Sequence, residues 1–122
     1  MSGDISIVGR CAAVFQQGKL AGHLQELPEG SWQFTYEPGY KGLAISLTMP
    51  VRDEPYHYKQ FPAVFDGLLP EGLQLEALLR KHKIDRTDFF KQLVTVGEDL
   101  VGSLAVRPAT EAPTKRRGPF DG

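Results

Sequence analysis

The sequence predicts a small α+β domain: an antiparallel sheet of about five short strands covered by about three short helices. Three observations lead there. Apolar residues alternate with polar ones through the first half of the chain, as in residues 31–36, where Trp32, Phe34 and Tyr36 share one face. After residue 60 the spacing changes to that of helices, with Phe61, Val64, Phe65, Leu68 and Leu69 at steps of three and four. A short apolar run then returns at residues 103–107.

The elements follow in order. Residues 1–9 are small and polar and form a flexible N-terminus. Residues 10–16 read as a strand, and Gln17-Gly18 as a tight turn into its partner over 19–26. Simple alternation in that partner places Leu20, Gly22 and Leu24 on one face and His23 on the other. Pro28-Glu29-Gly30 turns the chain into the aromatic strand 31–36, whose apolar face suits the core. A fourth strand is expected at 44–49, stopped by Pro50. Helices are expected over 60–69 and 72–83. A third opens with Asp85 as N-cap, backed by Asp88 three residues on, and stops at Gly97. Strand 103–107 closes onto the sheet. The folded domain is thus expected over 10–107. Residues 108–122, with Pro108, Pro113, Gly118, Pro119 and Gly122, read as a disordered tail.

Composition limits the function. At 122 residues the chain is one domain with a tail, and 41% hydrophobic and 24% charged residues are ordinary for a globular protein. A net charge of −1 gives no bulk attraction to nucleic acid or anionic lipid. No apolar run reaches the roughly 20 residues that span a bilayer. The N-terminus has no basic region followed by an apolar stretch, so a cytoplasmic placement is expected. Cys11 alone forms no internal disulfide or multi-cysteine metal site, and its apolar surroundings suit a buried, inert thiol.

Few residues suggest chemistry. Phosphoryl transfer needs a phosphate-cradling loop, a lysine, a base and metal-binding carboxylates, and no motif for them is present. Gly97 to Gly102 is acidic, and Glu98 and Asp99 read as a solvated turn. His23, His57 and His82 match no metal spacing. Arg80, Lys81, His82, Lys83 and Arg86 form a basic cluster. It suits a helix C-terminus, with docking to an acidic surface or to phosphates as the alternative. Tyr56-His57-Tyr58 follows an acidic, proline-containing loop and is a candidate for exposed interface aromatics. No cofactor is expected.

Two segments stand out. In Phe65-Asp66-Gly67-Leu68-Leu69-Pro70-Glu71-Gly72 a helix stops at Pro70 and restarts after Gly72, leaving backbone groups in need of partners. Val96-Gly97-Glu98-Asp99-Leu100-Val101-Gly102-Ser103-Leu104 is a helix stop, an acidic turn and a strand. Together they resemble the "FFDNLLP[ED]G" and "IGxDxVGAL" stretches of the N-terminal subdomain of HipA-type serine/threonine kinases, the toxins of bacterial toxin–antitoxin operons. Gly18-Lys19-Leu20-Ala21-Gly22 is similar to the opening hairpin of that family. Phe34-Thr35-Tyr36-Glu37 and Ile45-Ser46-Leu47-Thr48-Met49-Pro50 are similar to two of its strands.

The resemblance covers residues 11–107 and implies a subdomain without catalytic residues, since the ATP-binding and base residues of such kinases lie beyond it. A stand-alone form, HipS of the three-gene HipB, HipS and HipT systems, acts as antitoxin to the kinase. The resemblance therefore implies a non-enzymatic antitoxin that binds and neutralises a HipT-type kinase. A HipB-like helix-turn-helix DNA-binding protein would be the third component. The expected interface is Phe65, Leu68, Leu69, Pro70, Glu71 and Gly72, flanked by Glu98 and Asp99. The alternative is an N-terminal fragment of a longer HipA-like kinase. A small nucleic-acid-binding module using the basic cluster is a third class.

Overall fold

The computed structural model describes residues 10–97 and 103–109. Five strands form one antiparallel sheet: β1 Cys11–Gln16, β2 Lys19–Glu26, β3 Trp32–Tyr36, β4 Tyr56–Tyr58 and β5 Leu104–Ala109, in the order β4-β3-β2-β1-β5. Three helices follow β4: α1 Ala63–Asp66, α2 Gly72–His82 and α3 Phe89–Val96. The α+β class and the order of strands, helices and final strand match the sequence-based expectation.

The core lies on one face of the sheet. Ala12, Val14, Leu24, Trp32, Phe34, Tyr36 and Val106 meet Phe65 from α1 and Phe90 and Leu93 from α3, all buried. Trp32 stacks on Phe90 with ring centroids 5.9 Å apart and meets the edge of Phe61 at 5.0 Å. Its indole is therefore part of the core. Cys11 is buried, and loss of water pushes its thiol up to about 11, so it stays protonated near neutral pH.

Several local expectations change. The β1–β2 register shifts between Val14 and Phe15, so Ala21 is the extra residue of a bulge and Leu20 pairs with Phe15. Leu20 thus lies on the face opposite Gly22 and Leu24, which simple alternation had put together. Residues 44–49 form no strand. Met49 N–H donates to Ser46 O at 3.0 Å, and the Ser46 hydroxyl accepts from Thr48 N–H at 3.2 Å. These local bonds compete with a sheet ladder, and the fourth strand is Tyr56–Tyr58 instead.

The first helix is one turn long, because Pro62 sits extended at its N-cap with φ −61° and ψ 135°. Single turn bonds carry the chain on, from Leu68 N–H to Phe65 O and from Leu69 N–H to Asp66 O. The third helix starts three residues later than expected. Asp88, rather than Asp85, is its N-cap and accepts from Lys91 N–H at 3.2 Å. Asp85 instead accepts from the Thr87 amide and hydroxyl at 2.8 and 2.7 Å. The second helix ends at His82, and Lys83 takes the left-handed cap position at φ 55°. Strand β5 runs on to Ala109 by pairing with Cys11, two residues past the expected boundary.

Long-range polar ties fix the ends of the sheet. Arg10 Nη1 lies 2.8 Å from Asp88 Oδ1, and its Nε lies 2.9 Å from Glu26 Oε1, so the start of β1 is bound to the start of α3. The buried Gln16 amide donates to Ala44 O at 3.0 Å and accepts from the Ser103 hydroxyl.

On the outer face, His23 stands between Ala13 and Thr35. Its Nδ1 lies 3.2 Å from Glu37 Oε2 without hydrogen-bond geometry. Burial holds the imidazole below its ordinary value, and the Glu37 carboxylate opposes this more weakly. The folded chain then binds fewer protons at His23 than the unfolded chain. This contribution is complete above the unfolded value of about 6.5 and is lost as pH falls through it toward the lower folded value. Urea titrations near pH 7.5 and pH 5.5 check this. His23→Gln is expected to shrink the stability difference between them, and an unchanged difference would remove His23 as a cause.

Candidate functional site

The helix break is where the sequence and the surface geometry coincide. Helix α1 ends at Gly67, whose amide bonds back to Ala63 O at 2.9 Å. Pro70 offers no donor, Glu71 is extended at φ −131° and ψ 168°, and Gly72 opens α2 at φ 60°, a conformation that favours glycine. Glu71 is the N-cap of α2, yet its carboxylate caps no backbone amide. It stands exposed, free to meet another molecule.

A hollow of about 350 Å³ opens beside the break. Leu69, Pro70, Glu71 and Leu75 line one side, and Arg86 in the turn before α3 and Phe89 at its start line the other. Phe89 is 39% exposed there. Arg86 is held by Glu76, with Nη2 2.8 Å from its carboxylate. The hollow therefore sets apolar Leu69, Leu75 and Phe89 beside charged Glu71 and Arg86, a form suited to an apolar side chain with a polar neighbour. A second hollow of about 510 Å³ lies beside Arg10, Trp32, Phe61 and Asp88, and there the Arg10 network occupies the rim.

The expected interface residues separate by position. Phe65 is fully buried and turned to the core. Leu68 and Leu69 are half-buried against the core, Pro70 is half-buried, and Glu71 and Gly72 are exposed. Glu98 and Asp99 lie outside the described residues. The basic cluster divides, since Arg86 pairs with Glu76 while Arg80, Lys81, His82 and Lys83 are exposed around the α2 C-terminus, where the helix dipole favours them. Tyr56 and Tyr58 are half-buried against the core, and only His57 of that trio is exposed. Among the described residues, no three His, Cys, Asp or Glu side chains converge to hold a metal ion. Among the same residues no helix is long and apolar enough to cross a membrane.

Sequence reasoning missed the Arg10–Glu26–Asp88 network and the buried Tyr36 hydroxyl, which accepts from Ile45 N–H at 3.0 Å and donates to Met49 O. Neither leaves a local pattern, because both join residues far apart in the chain.

The described residues form a five-stranded antiparallel sheet with helices packed on its core face and a broken helix at the rim, a small α+β domain. The chain belongs to the HipA N-terminal domain family, whose profile matches residues 12–107. It is 32% identical over 98 residues to an uncharacterized protein of Haemophilus influenzae, a match covering 80% of this chain and 92% of that one. A Sinorhizobium fredii protein that carries a kinase name, Y4mE, is 26% identical over 108 residues. That match covers 85% of this chain but only 26% of the Sinorhizobium protein. Among solved structures, the N-terminal domain of a HipA toxin superposes with a TM-score of 0.65 at 30% identity, covering 84% of this chain and 94% of that one.

Proposed function

We propose that this chain is a HipS-like antitoxin, a non-enzymatic module of the bacterial cytoplasm that binds a HipA-like, HipT-type serine/threonine kinase and holds it inactive. The observation that carries this reading is the pair of relatives. The same domain fills 92% of a small Haemophilus protein and only 26% of a Sinorhizobium protein with a kinase name. A domain found in both settings is suited to docking on a kinase body either in cis or in trans. Leu68, Leu69, Pro70 and the exposed Glu71 and Gly72 offer the contact, with Glu98 and Asp99 as flanking candidates and Phe65 holding the fold beneath them. A HipB-like helix-turn-helix protein would join the complex and supply its DNA contact.

Co-purification with the product of an adjacent kinase-like gene tests this. A stoichiometric complex with lowered kinase autophosphorylation is the expected result, and Glu71→Arg is expected to weaken it about tenfold or more without lowering the thermal midpoint. Absence of a complex would sink the antitoxin reading. The Sinorhizobium relative favours one further reading, an N-terminal regulatory piece of a longer kinase. An in-frame kinase sequence directly downstream would decide for it.

A further inference from the structure

We propose that the two hollows beside α3 form one groove for a basic segment that carries an aromatic side chain. Its occupant in the free protein is the chain's own segment Lys115-Arg116-Arg117-Gly118-Pro119-Phe120. The contact belongs to the free chain and does not depend on the antitoxin reading.

The hollows are one surface because they share a wall. Thr87 and Phe89 line both, and Phe89 stands 39% exposed between them. Its ring lies 5.8 Å from that of Phe61 in the larger hollow, and it shares the smaller one with Leu69 and Leu75.

The groove is acidic once its ion pairs are set aside. Arg10 is committed to Glu26 and Asp88, and Arg86 to Glu76. Among the described residues that line the hollows, this leaves Asp66, Glu71 and Asp85 against Lys59. Carboxylates around an exposed aromatic ring suit a cationic segment that also brings an apolar side chain. Lys115, Arg116, Arg117 and Phe120 supply both.

The point where the chain leaves the sheet favours the same occupant. Ala109 pairs with Cys11, so residue 110 departs beside Arg10. Arg10 lines the larger hollow, and its guanidinium holds Asp88, the residue before Phe89. Residues 110–122 lie outside the described residues. At about 3.3 Å per residue, the stretch from 110 to 120 reaches up to roughly 36 Å, which crosses two adjoining hollows. Lys115, Arg116 and Arg117 pass Asp85, and Phe120 enters the hollow at the helix break against Leu69, Leu75 and Phe89. A tethered segment has an effective concentration on the order of millimolar, so modest contacts keep it docked and favour it over the same segment of a second copy. Any molecule that docks at Glu71 displaces this segment first.

Amide nitrogen–proton correlation spectra of the full chain test the contact. Phe120→Ala, and separately the combined Lys115→Gln, Arg116→Gln and Arg117→Gln, are expected to shift the amides of Glu71, Thr87 and Phe89, while Thr35 on the outer face of the sheet stays in place. Raising the salt from roughly 0.05 M to roughly 0.5 M, which shortens the screening length about threefold, is expected to shift the same amides of the wild-type chain. All the substitutions lie beyond β5, so loss of fold does not mimic the result. Groove amides that stay in place in either variant overturn the proposal. Labelled Phe120→Ala protein whose groove amides return to their wild-type positions when unlabelled wild-type chain is added would overturn it in favour of a second copy's segment as occupant.

Discussion

Replacing Phe65 with alanine is expected to remove about 3–5 kcal/mol of folding stability. The side chain is fully buried, its ring 6.1 Å from that of Phe34 and 6.4 Å from that of Phe61. Truncation loses the transfer free energy of the ring and leaves a void between α1 and the sheet. Helix α1 is a single turn flanked by the fully buried Pro62 and by Leu68 packed against the core, which leaves it little room to slide into that void. Against a total of about 5–15 kcal/mol for a domain, the loss is large. Urea unfolding of both proteins measures it, and a change below about 1 kcal/mol would show that the site collapses freely. Phe65→Leu, which keeps most of the volume, is expected to cost less. Reduced partner binding in Phe65→Ala would thus report loss of fold before loss of contact, and Glu71 is the better probe of the interface.

Gly97→Ala is expected to be comparably damaging, at about 3 kcal/mol or more. Gly97 has φ −56°, so its backbone suits any residue. The obstacle is space. A Cβ built there would stand 1.8 Å from Val106 O and 2.8 Å from Val106 C, both main-chain atoms of β5. Gly97 O also accepts from Val106 N–H at 3.0 Å, which fastens the end of α3 directly onto the last strand. Neither side can yield without losing that bond or the pairing of Val106 with Val14. Thermal unfolding checks this, and a midpoint within about 2 °C of wild type would sink the steric argument. Gly97→Ser is expected to be at least as disruptive.

These two positions show how differently sequence and structure carry information. The burial of Phe65 was legible, because helical spacing of Phe61, Val64, Phe65, Leu68 and Leu69 marks an inward face. The presence of a stop at Gly97 was also legible, but its reason was not. The sequence reads only as a helix stop, whereas the glycine is there to let β5 approach. The 44–49 segment failed in the opposite way. Ile45, Leu47 and Met49 alternate as a strand would, yet the hydroxyls of Ser46, Thr48 and Tyr36 hold a turn that buries the outer two and presents the middle one. The cap at Asp88 was displaced from Asp85 because Arg10, 78 residues away, draws Asp88 into place.

For the candidate site, Leu69, Pro70, Glu71 and Gly72 were identifiable from proline and glycine chemistry alone, which acts on neighbouring backbone atoms. That Arg86 and Phe89 face them across a hollow could not be read, since it depends on how α3 packs.

The sequence by itself determined the α+β class, the order of elements, the aromatic core face and the break at Pro70, because periodicity and backbone restriction are local properties. The tertiary structure decided which residue capped α3, why Gly97 carries no side chain, where the Ala21 bulge turned Leu20 outward, and that Leu47 stands in solvent. Each of those depends on contacts between segments far apart in the chain, whose spacing is set only when the sheet and helices close on one another.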